Sequence, residues 1–275
     1  MKRSMMGLLA VAAFIFSLTS CSGTKKANDD GASQAEDAAV AAGSVPKTLL
    51  TEEVKTETVQ LLKDLPDSEI PYRIATGEVT IGIGSLNSLL PVSKAAELTS
   101  TAQKACAAGI YLADYSVLKA LGQPTTEIES VLAELTSALN ITYVLNILNK
   151  PAPASKEEFG AFLREQEDQI IQALAADDKV DVQIELFSGI AAELAVVYAN
   201  PSLVVQGDAT SAGLTDNQTK RLEILGQITA DLTAYYPDLA KLGEILQPLK
   251  DKVTSVRTAR ESNAEILAIR DALLK

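Results

Sequence analysis

The residues best suited to chemistry are two carboxylates that stand alone in long apolar stretches. Asp114 is the only charged residue within 105–118, and Glu193 is the only one within 186–207. An ionised carboxylate inside a protein is costly unless it is paired or hydrogen-bonded. If two such groups lie close together, the pKa of one rises, which suits proton transfer.

Two interpretations of this pair are open. In one, Asp114 and Glu193 line a pocket for a cation or polar ligand, and Tyr111 and Tyr115 complete the candidate ligand-binding residues. In the other, both carboxylates are satisfied within the core by a tyrosine hydroxyl, an asparagine, or a lysine or arginine from another helix. The second is the commoner outcome, because ion-pair networks with a purely structural role also shift the pKa values of carboxylates. It predicts that Asp114→Asn lowers thermal stability.

Each carboxylate follows a glycine by about one helical turn, since Gly109 precedes Asp114 and Gly189 precedes Glu193. Glycine inside a helix costs up to about 1 kcal/mol relative to alanine. A glycine in such a place usually has a packing reason, such as the close approach of a second helix. We therefore expect the two helices to cross tightly near these glycines, with the carboxylates nearby.

The elements that position these residues have an almost entirely helical pattern. Apolar residues recur every three or four positions, and capping residues and prolines separate the segments. Two long helices with few charges, about 99–121 and 181–199, belong at the centre because they are apolar nearly all round. The pattern predicts an all-α fold, a multi-helix bundle of antiparallel helices, with two packed helical halves as the other arrangement.

Four further segments carry local predictions. Ser155 begins a capping-box sequence, SKEE, which predicts a helix start. The small and polar residues 206–213 predict a loop. A single helix is expected over about 249–274. The strand-like stretch 79–84 is expected to be a turn into the next helix.

Composition excludes several kinds of chemistry. The 275 residues carry a net charge of −12 and include no histidine and no tryptophan. Without histidine there is no Ser-His-Asp or Cys-His catalysis and no imidazole metal ligand. A chain this acidic is not suited to binding the phosphate groups of nucleic acid. We expect no enzymatic activity, no cofactor, no metal and no nucleic-acid partner.

The amino terminus resembles a bacterial lipoprotein signal. Lys2 and Arg3 precede an apolar run over 5–18, and the sequence LTSC at 18–21 places Cys21 directly after small residues. A basic start, a short apolar region and small residues before a cut site are typical of a secretory signal. In lipoproteins the cysteine is lipidated, the chain is cut before it, and the new amine is acylated, commonly with palmitate.

These features predict three parts of the chain. Residues 1–20 are expected to be the lipoprotein signal peptide. Residues 21–47 are expected to be the lipidated cysteine and a disordered tether, because their composition provides too little apolar surface to order them. Residues 48–275 are expected to form a single α-helical domain. Ser22 lacks the acidic character of an inner-membrane retention signal, which favours an outer-membrane lipoprotein, facing either the periplasm or the cell surface.

The second cysteine, Cys106, has no partner for a disulfide if Cys21 is lipidated. It lies in an alanine-rich apolar segment, ACAAG at 105–109. A thiol in such a segment is usually a small buried hydrophobic group. We therefore expect Cys106 to be unreactive.

Several motifs resemble a group of helical lipoproteins of Bacteroidota whose function is not known. They cover about half the chain: LPDSEI at 65–70, LNSLLP at 86–91, KACAAGIYLADYS at 104–116, LAELTSALNI at 132–141 and SGIAAELAVVY at 188–198. The chain departs from the family at Ala107, and it lacks a tryptophan often present before the second acidic residue. The resemblance implies an all-helical envelope lipoprotein, and it marks Tyr111, Asp114 and Glu193 as matched positions.

Together these observations predict a lipid-anchored cell-envelope protein without catalytic activity, held at the membrane by Cys21. Its role would be protein interaction with an unknown partner, or support of the envelope. The alternative is a lipoprotein that binds a small ligand or cation in a pocket between the central helices. An open pocket holding Asp114 and Glu193 would favour the alternative, and a closed core with a large apolar surface patch would favour the first role.

Overall fold

The computed structural model describes residues 50–275, except 152 and 154. Cys21, the predicted signal peptide and the predicted tether lie outside the described residues. All of the described residues fall within one compact unit.

The described chain is helical almost throughout, and the predicted all-α fold is confirmed. Two 3₁₀-helices cover Ile83–Ser88 and Val92–Glu97, and two short strands, β1 (Val79–Thr80) and β2 (Val204–Val205), pair antiparallel. The α-helices are α1 (Glu52–Lys63), α2 (Glu69–Thr76), α3 (Thr101–Ala120), α4 (Thr126–Ala138), α5 (Tyr143–Leu148), α6 (Lys156–Ala176), α7 (Val180–Tyr198), α8 (Asp208–Leu232), α9 (Asp238–Lys252), α10 (Val256–Glu261) and α11 (Asn263–Ala272).

Hydroxyl side chains begin several of these helices by accepting from backbone N–H groups that lack an intrahelical partner. Ser100 forms a reciprocal capping box with Gln103 at the start of α3. Ser155 accepts from Glu158 N at the start of α6, as its sequence predicts. These caps set the ends of α3 and α6 from local sequence.

Two local predictions are wrong. The expected loop 206–213 is instead the beginning of α8, which follows Gly207 in the left-handed region at φ +83°. Burial of Leu214 and its neighbours outweighs the weak helix propensity of small polar residues. The expected helix over 249–274 is interrupted, because Ser255 is extended and its side chain caps the new helix α10.

The stretch 79–84, expected to be a turn into the next helix, begins with a two-residue strand and ends in a 3₁₀-helix. Val79 and Thr80 pair with Val205 and Val204, and the first 3₁₀-helix follows directly. Gly82 N also donates to Ser202 Oγ at 3.0 Å. These bonds hold the segment before α3 against the chain that follows α7.

The centre of the bundle is the crossing of α3 and α7, the most extensive helix pair in the described chain. A Cβ atom on Gly109 would overlap Leu186 O and lie 2.9 Å from Ile190 N. A Cβ atom on Gly189 would overlap Cys106 O. The predicted close crossing at the two glycines is therefore confirmed, and its contacts are reciprocal.

Helix directions differ between the centre and the periphery. Helices α8 and α9 run antiparallel, since Glu223 pairs with Lys250 and Thr229 packs against Gly243. In contrast, α3 and α7 run in the same general direction. Cys106 lies near Glu185 before the glycine crossing, and Asp114 lies near Glu193 after it. None of the helices in residues 50–275 combines the length and hydrophobicity that a membrane span requires.

Candidate functional site

Asp114 and Glu193 meet in the core, one on each of the two central helices. Both side chains are fully buried, with 0 % exposure. They lie beyond the glycine crossing on the same side of it, which brings the two carboxyl groups within hydrogen-bonding reach. The sequence-based expectation that the glycines place the carboxylates near each other is confirmed.

Asp114 is held by the backbone of the segment that precedes α3. Its Oδ2 accepts from Leu90 N at 3.2 Å. Its Oδ1 has no N–H or O–H donor among the described residues. Oδ1 is therefore the carboxyl oxygen of Asp114 that can carry a proton.

Glu193 is paired with an arginine from the last helix. Arg270, 5 % exposed, donates from Nη1 to Glu193 Oε2 at 3.1 Å and to Ser88 O at 2.7 Å. Its other nitrogens reach Asp271 Oδ1 at 2.9 and 3.0 Å. Oε1 of Glu193, like Oδ1 of Asp114, has no donor among the described residues.

The electrostatics favour a single negative charge on the carboxyl pair. Burial, together with the neighbouring Glu193, raises the pKa of Asp114 well above its usual range. Burial also raises the pKa of Glu193, but Arg270 opposes that effect. Because Glu193 faces the guanidinium and Asp114 does not, Glu193 keeps the charge and Asp114 holds the proton.

The arginine keeps its own charge in this setting. Burial alone would lower the pKa of Arg270, and the pairs with Glu193 and Asp271 outweigh that effect, so the pKa is raised. The core of the site is thus one arginine, one carboxylate and one protonated carboxyl group. Its net charge is neutral, which is the condition under which buried ionic groups are tolerated.

Tyr111 lies beside the cluster but bonds elsewhere. Its hydroxyl donates to Pro91 O at 2.9 Å, and its side chain is fully buried. Burial is the main cause that raises its pKa, and the charge on Glu193 adds to that effect. Tyr111, Asp114 and Arg270 therefore all hold the backbone of 88–91, so the cluster fastens this segment to the central helices.

Tyr115 points to another part of the bundle. Its hydroxyl accepts from Lys119 Nζ at 3.0 Å, and Lys119 Nζ lies 5.0 Å from the centre of its ring. It borders a separate cleft near Leu132 and Asn149. The structure brings together three of the four candidate ligand-binding residues, and Tyr115 is not among those three.

The sequence interpretation missed Arg270, the residue that completes the cluster. A signal for it exists, because Arg270 follows Ile266 by four positions and precedes Leu273 by three, which places it on the apolar face of its helix. An arginine on an apolar face usually has a buried acidic partner. The partner itself, 77 positions earlier, could not be identified from spacing.

A second buried arginine was also missed. Arg221 on α8 is fully buried, donates to Pro66 O and lies 3.8 Å from Glu167. Burial lowers its pKa, against the attraction of Glu167. Here too a charged side chain joins a non-helical segment, 64–68, to the helices packed on it.

The fold and the site define a class of protein: an all-α bundle whose polar core fastens its loops to its central helices. Within residues 50–275, no cluster of three or more Cys, Asp or Glu side chains is arranged to hold a metal ion. No protein-family model, curated protein or solved structure matches this chain. The resemblance to helical lipoproteins of Bacteroidota stays a prediction from its motifs.

Proposed function

We propose that the protein is a lipid-anchored, non-catalytic protein of the bacterial cell envelope, serving as a protein-interaction or envelope-support module in the outer membrane. The observation that carries this proposal is Cys21, directly after a short apolar run with a basic start. Acyl chains contribute about 0.8 kcal/mol for each buried CH₂, and two or more such chains anchor a protein stably.

The geometry of the core supports a structural rather than catalytic use of the carboxylates. Asp114 and Glu193 are fully buried, and their partners are Leu90 N, Arg270 and each other. A catalytic pair must reach a substrate, whereas these groups reach only the protein. The alternative pocket at Asp114 and Glu193 is a weaker proposal, because a ligand could enter only if the core opened.

The surface indicates what kind of partner an interaction module would have. Val204, 54 % exposed, is the only large hydrophobic side chain exposed in the described region. An apolar docking patch of a few hundred Å² is therefore lacking there. With a net charge of −12, a partner would be recognised through polar and basic groups.

The anchor is tested by metabolic labelling with an alkyne analogue of palmitate. The wild-type protein should take up the label and sediment with membranes, and Cys21→Ser should do neither. Cys106→Ser is the matched control, because it removes the other cysteine, and it should be labelled like the wild type. Labelling that persists in Cys21→Ser would contradict the proposal.

A further inference from the structure

A cleft of about 280 Å³ opens between α3, α7, α9 and α11, away from the carboxylate pair. Its apolar wall includes Cys106, Leu242, Ile245 and Leu273. Four charged side chains belong to the same lining: Glu185, Asp238, Lys241 and Lys275. Small-ligand sites are typically apolar clefts that contain a few polar groups, and this one is at the small end of the size range of roughly 300–1,000 Å³.

Glu185 is the unusual residue of the cleft. It is 8 % exposed, and it has no hydrogen bond or ion pair with any residue that the structure describes. Buried carboxylates are normally paired or hydrogen-bonded, because an unpaired one loses its hydration without compensation. In contrast to Glu193, Glu185 has no arginine partner within the part of the chain that the structure describes.

The charges around Glu185 also favour a cation. Asp181 lies one turn earlier on α7, and Asp238 begins α9 at the edge of the cleft. Burial, with these two carboxylates, raises the pKa of Glu185 to about 8. Lys241 and Lys275 border the cleft as well, but neither forms an ion pair with Glu185 among the described contacts.

We propose that this cleft binds a small organic cation, an alkylammonium group whose charge pairs with Glu185 while its carbon chain packs on Leu242, Ile245 and Leu273. This inference does not depend on the lipid anchor. A metal ion fits less well, because the described residues provide no cluster of three acidic or thiol ligands. An ammonium group needs only one carboxylate and nearby apolar surface.

The volume limits the size of the ligand. At roughly 30 Å³ for a water-sized group, the cleft holds about nine non-hydrogen atoms. A four- or five-carbon primary amine is within this limit. Such an amine keeps its proton to about pH 10, like a lysine side chain, so the amine and Glu185 carry opposite charges between about pH 8 and pH 10, which is where the titration is run.

The test is a methyl-NMR titration of the full chain with n-butylammonium chloride. We expect saturable shifts of the Ile245 methyl group, and no shift of Ile224, which lies on α8 away from the cleft. Glu185→Gln should weaken binding at least about tenfold, as expected for loss of a partly buried ion pair. Glu244 is an exposed acid on α9, so Glu244→Gln makes the same change of charge outside the cleft. This control variant should bind n-butylammonium like the wild type.

Three results would overturn the proposal. The first is equal affinity in Glu185→Gln, which would mean that the carboxylate is not the partner. The second is equal binding of 1-butanol, which would make the site merely apolar. The third is the same Ile245 shift with sodium or magnesium chloride, which would show a general effect of ions. A far-UV spectrum of Glu185→Gln identical to that of the wild type verifies that the variant is folded.

Discussion

Glu193 and Arg270 are joined by a 3.1 Å hydrogen bond in the core, although 77 positions separate them in the chain. The same Arg270 nitrogen also donates to Ser88 O. One guanidinium group therefore connects the central helix α7, the last helix α11 and the 3₁₀ segment before α3. The cluster is a link between parts of the fold that are distant in sequence.

Removing the arginine should destabilise the protein strongly. Arg270→Met retains apolar volume but leaves Glu193 buried without its partner, and breaking a buried pair in this way typically costs about 3–5 kcal/mol. Urea unfolding measures the change. Arg257→Met is the control, because it breaks the exposed i, i+4 pair with Glu261 on the neighbouring helix and should cause no measurable change. Equal stability of the two variants would contradict the structural role.

The pH dependence of stability should reveal the proton on Asp114. Its pKa is raised in the folded state, so the folded protein binds a proton that the unfolded chain has already released above about pH 4. The contribution of Asp114 to the free energy of unfolding is therefore fully present near or below pH 4. It falls as the pH rises, by at most about 1.4 kcal/mol per pH unit.

Asp114→Asn isolates this effect, because asparagine is neutral and still has a donor for Glu193 and an acceptor for Leu90 N. We expect the variant to gain stability relative to the wild type between pH 5 and pH 8. This reverses the loss of stability expected from the sequence, because Asp114 carries a proton in the fold and asparagine resembles that neutral form. Asp216→Asn, an exposed acid on α8, should follow the wild-type profile. A difference independent of pH would show that Asp114 is ionised in the fold.

The crossing of α3 and α7 should not tolerate a methyl group. Gly109→Ala places Cβ against Leu186 O, and Gly189→Ala places it against Cys106 O. Both changes force the helices apart, and each should cost about 3 kcal/mol or more, at the upper end for overpacking. Gly226→Ala, inside α8 with nothing within 4 Å of the new Cβ, should instead gain up to about 1 kcal/mol. Thermal unfolding distinguishes these outcomes.

Cys106 should be an unreactive thiol. It is 3 % exposed, and burial raises its pKa, with a further contribution from Glu185. The thiolate is the reactive form, so alkylation of the folded protein should be roughly 100-fold or more slower than alkylation of the urea-unfolded protein. The measurement uses Cys21→Ser to leave one thiol. Comparable rates in the two states would mean that the segment around Cys106 opens readily.

Periodicity and isolated charges were sufficient to predict the all-α fold and the meeting of Asp114 with Glu193. Both carboxylates stand in apolar segments, so burial was evident, and the glycines indicated where the helices cross. The prediction of a loop at 206–213 was wrong. Small polar residues favour neither helix nor loop strongly, and the burial of Leu214 decided the outcome.

Local sequence determined which segments are helical, which helices are central and which charges must be compensated, because helix periodicity and the cost of burying a charge act within a few residues. Only the tertiary structure decided that Arg270 compensates Glu193, that Tyr115 bonds Lys119 instead of joining the cluster, and that Glu185, without a partner among the described residues, lines a cleft. Those outcomes depend on which helices become neighbours. That is a property of the packed bundle, where residues far apart in the chain compete for the same space.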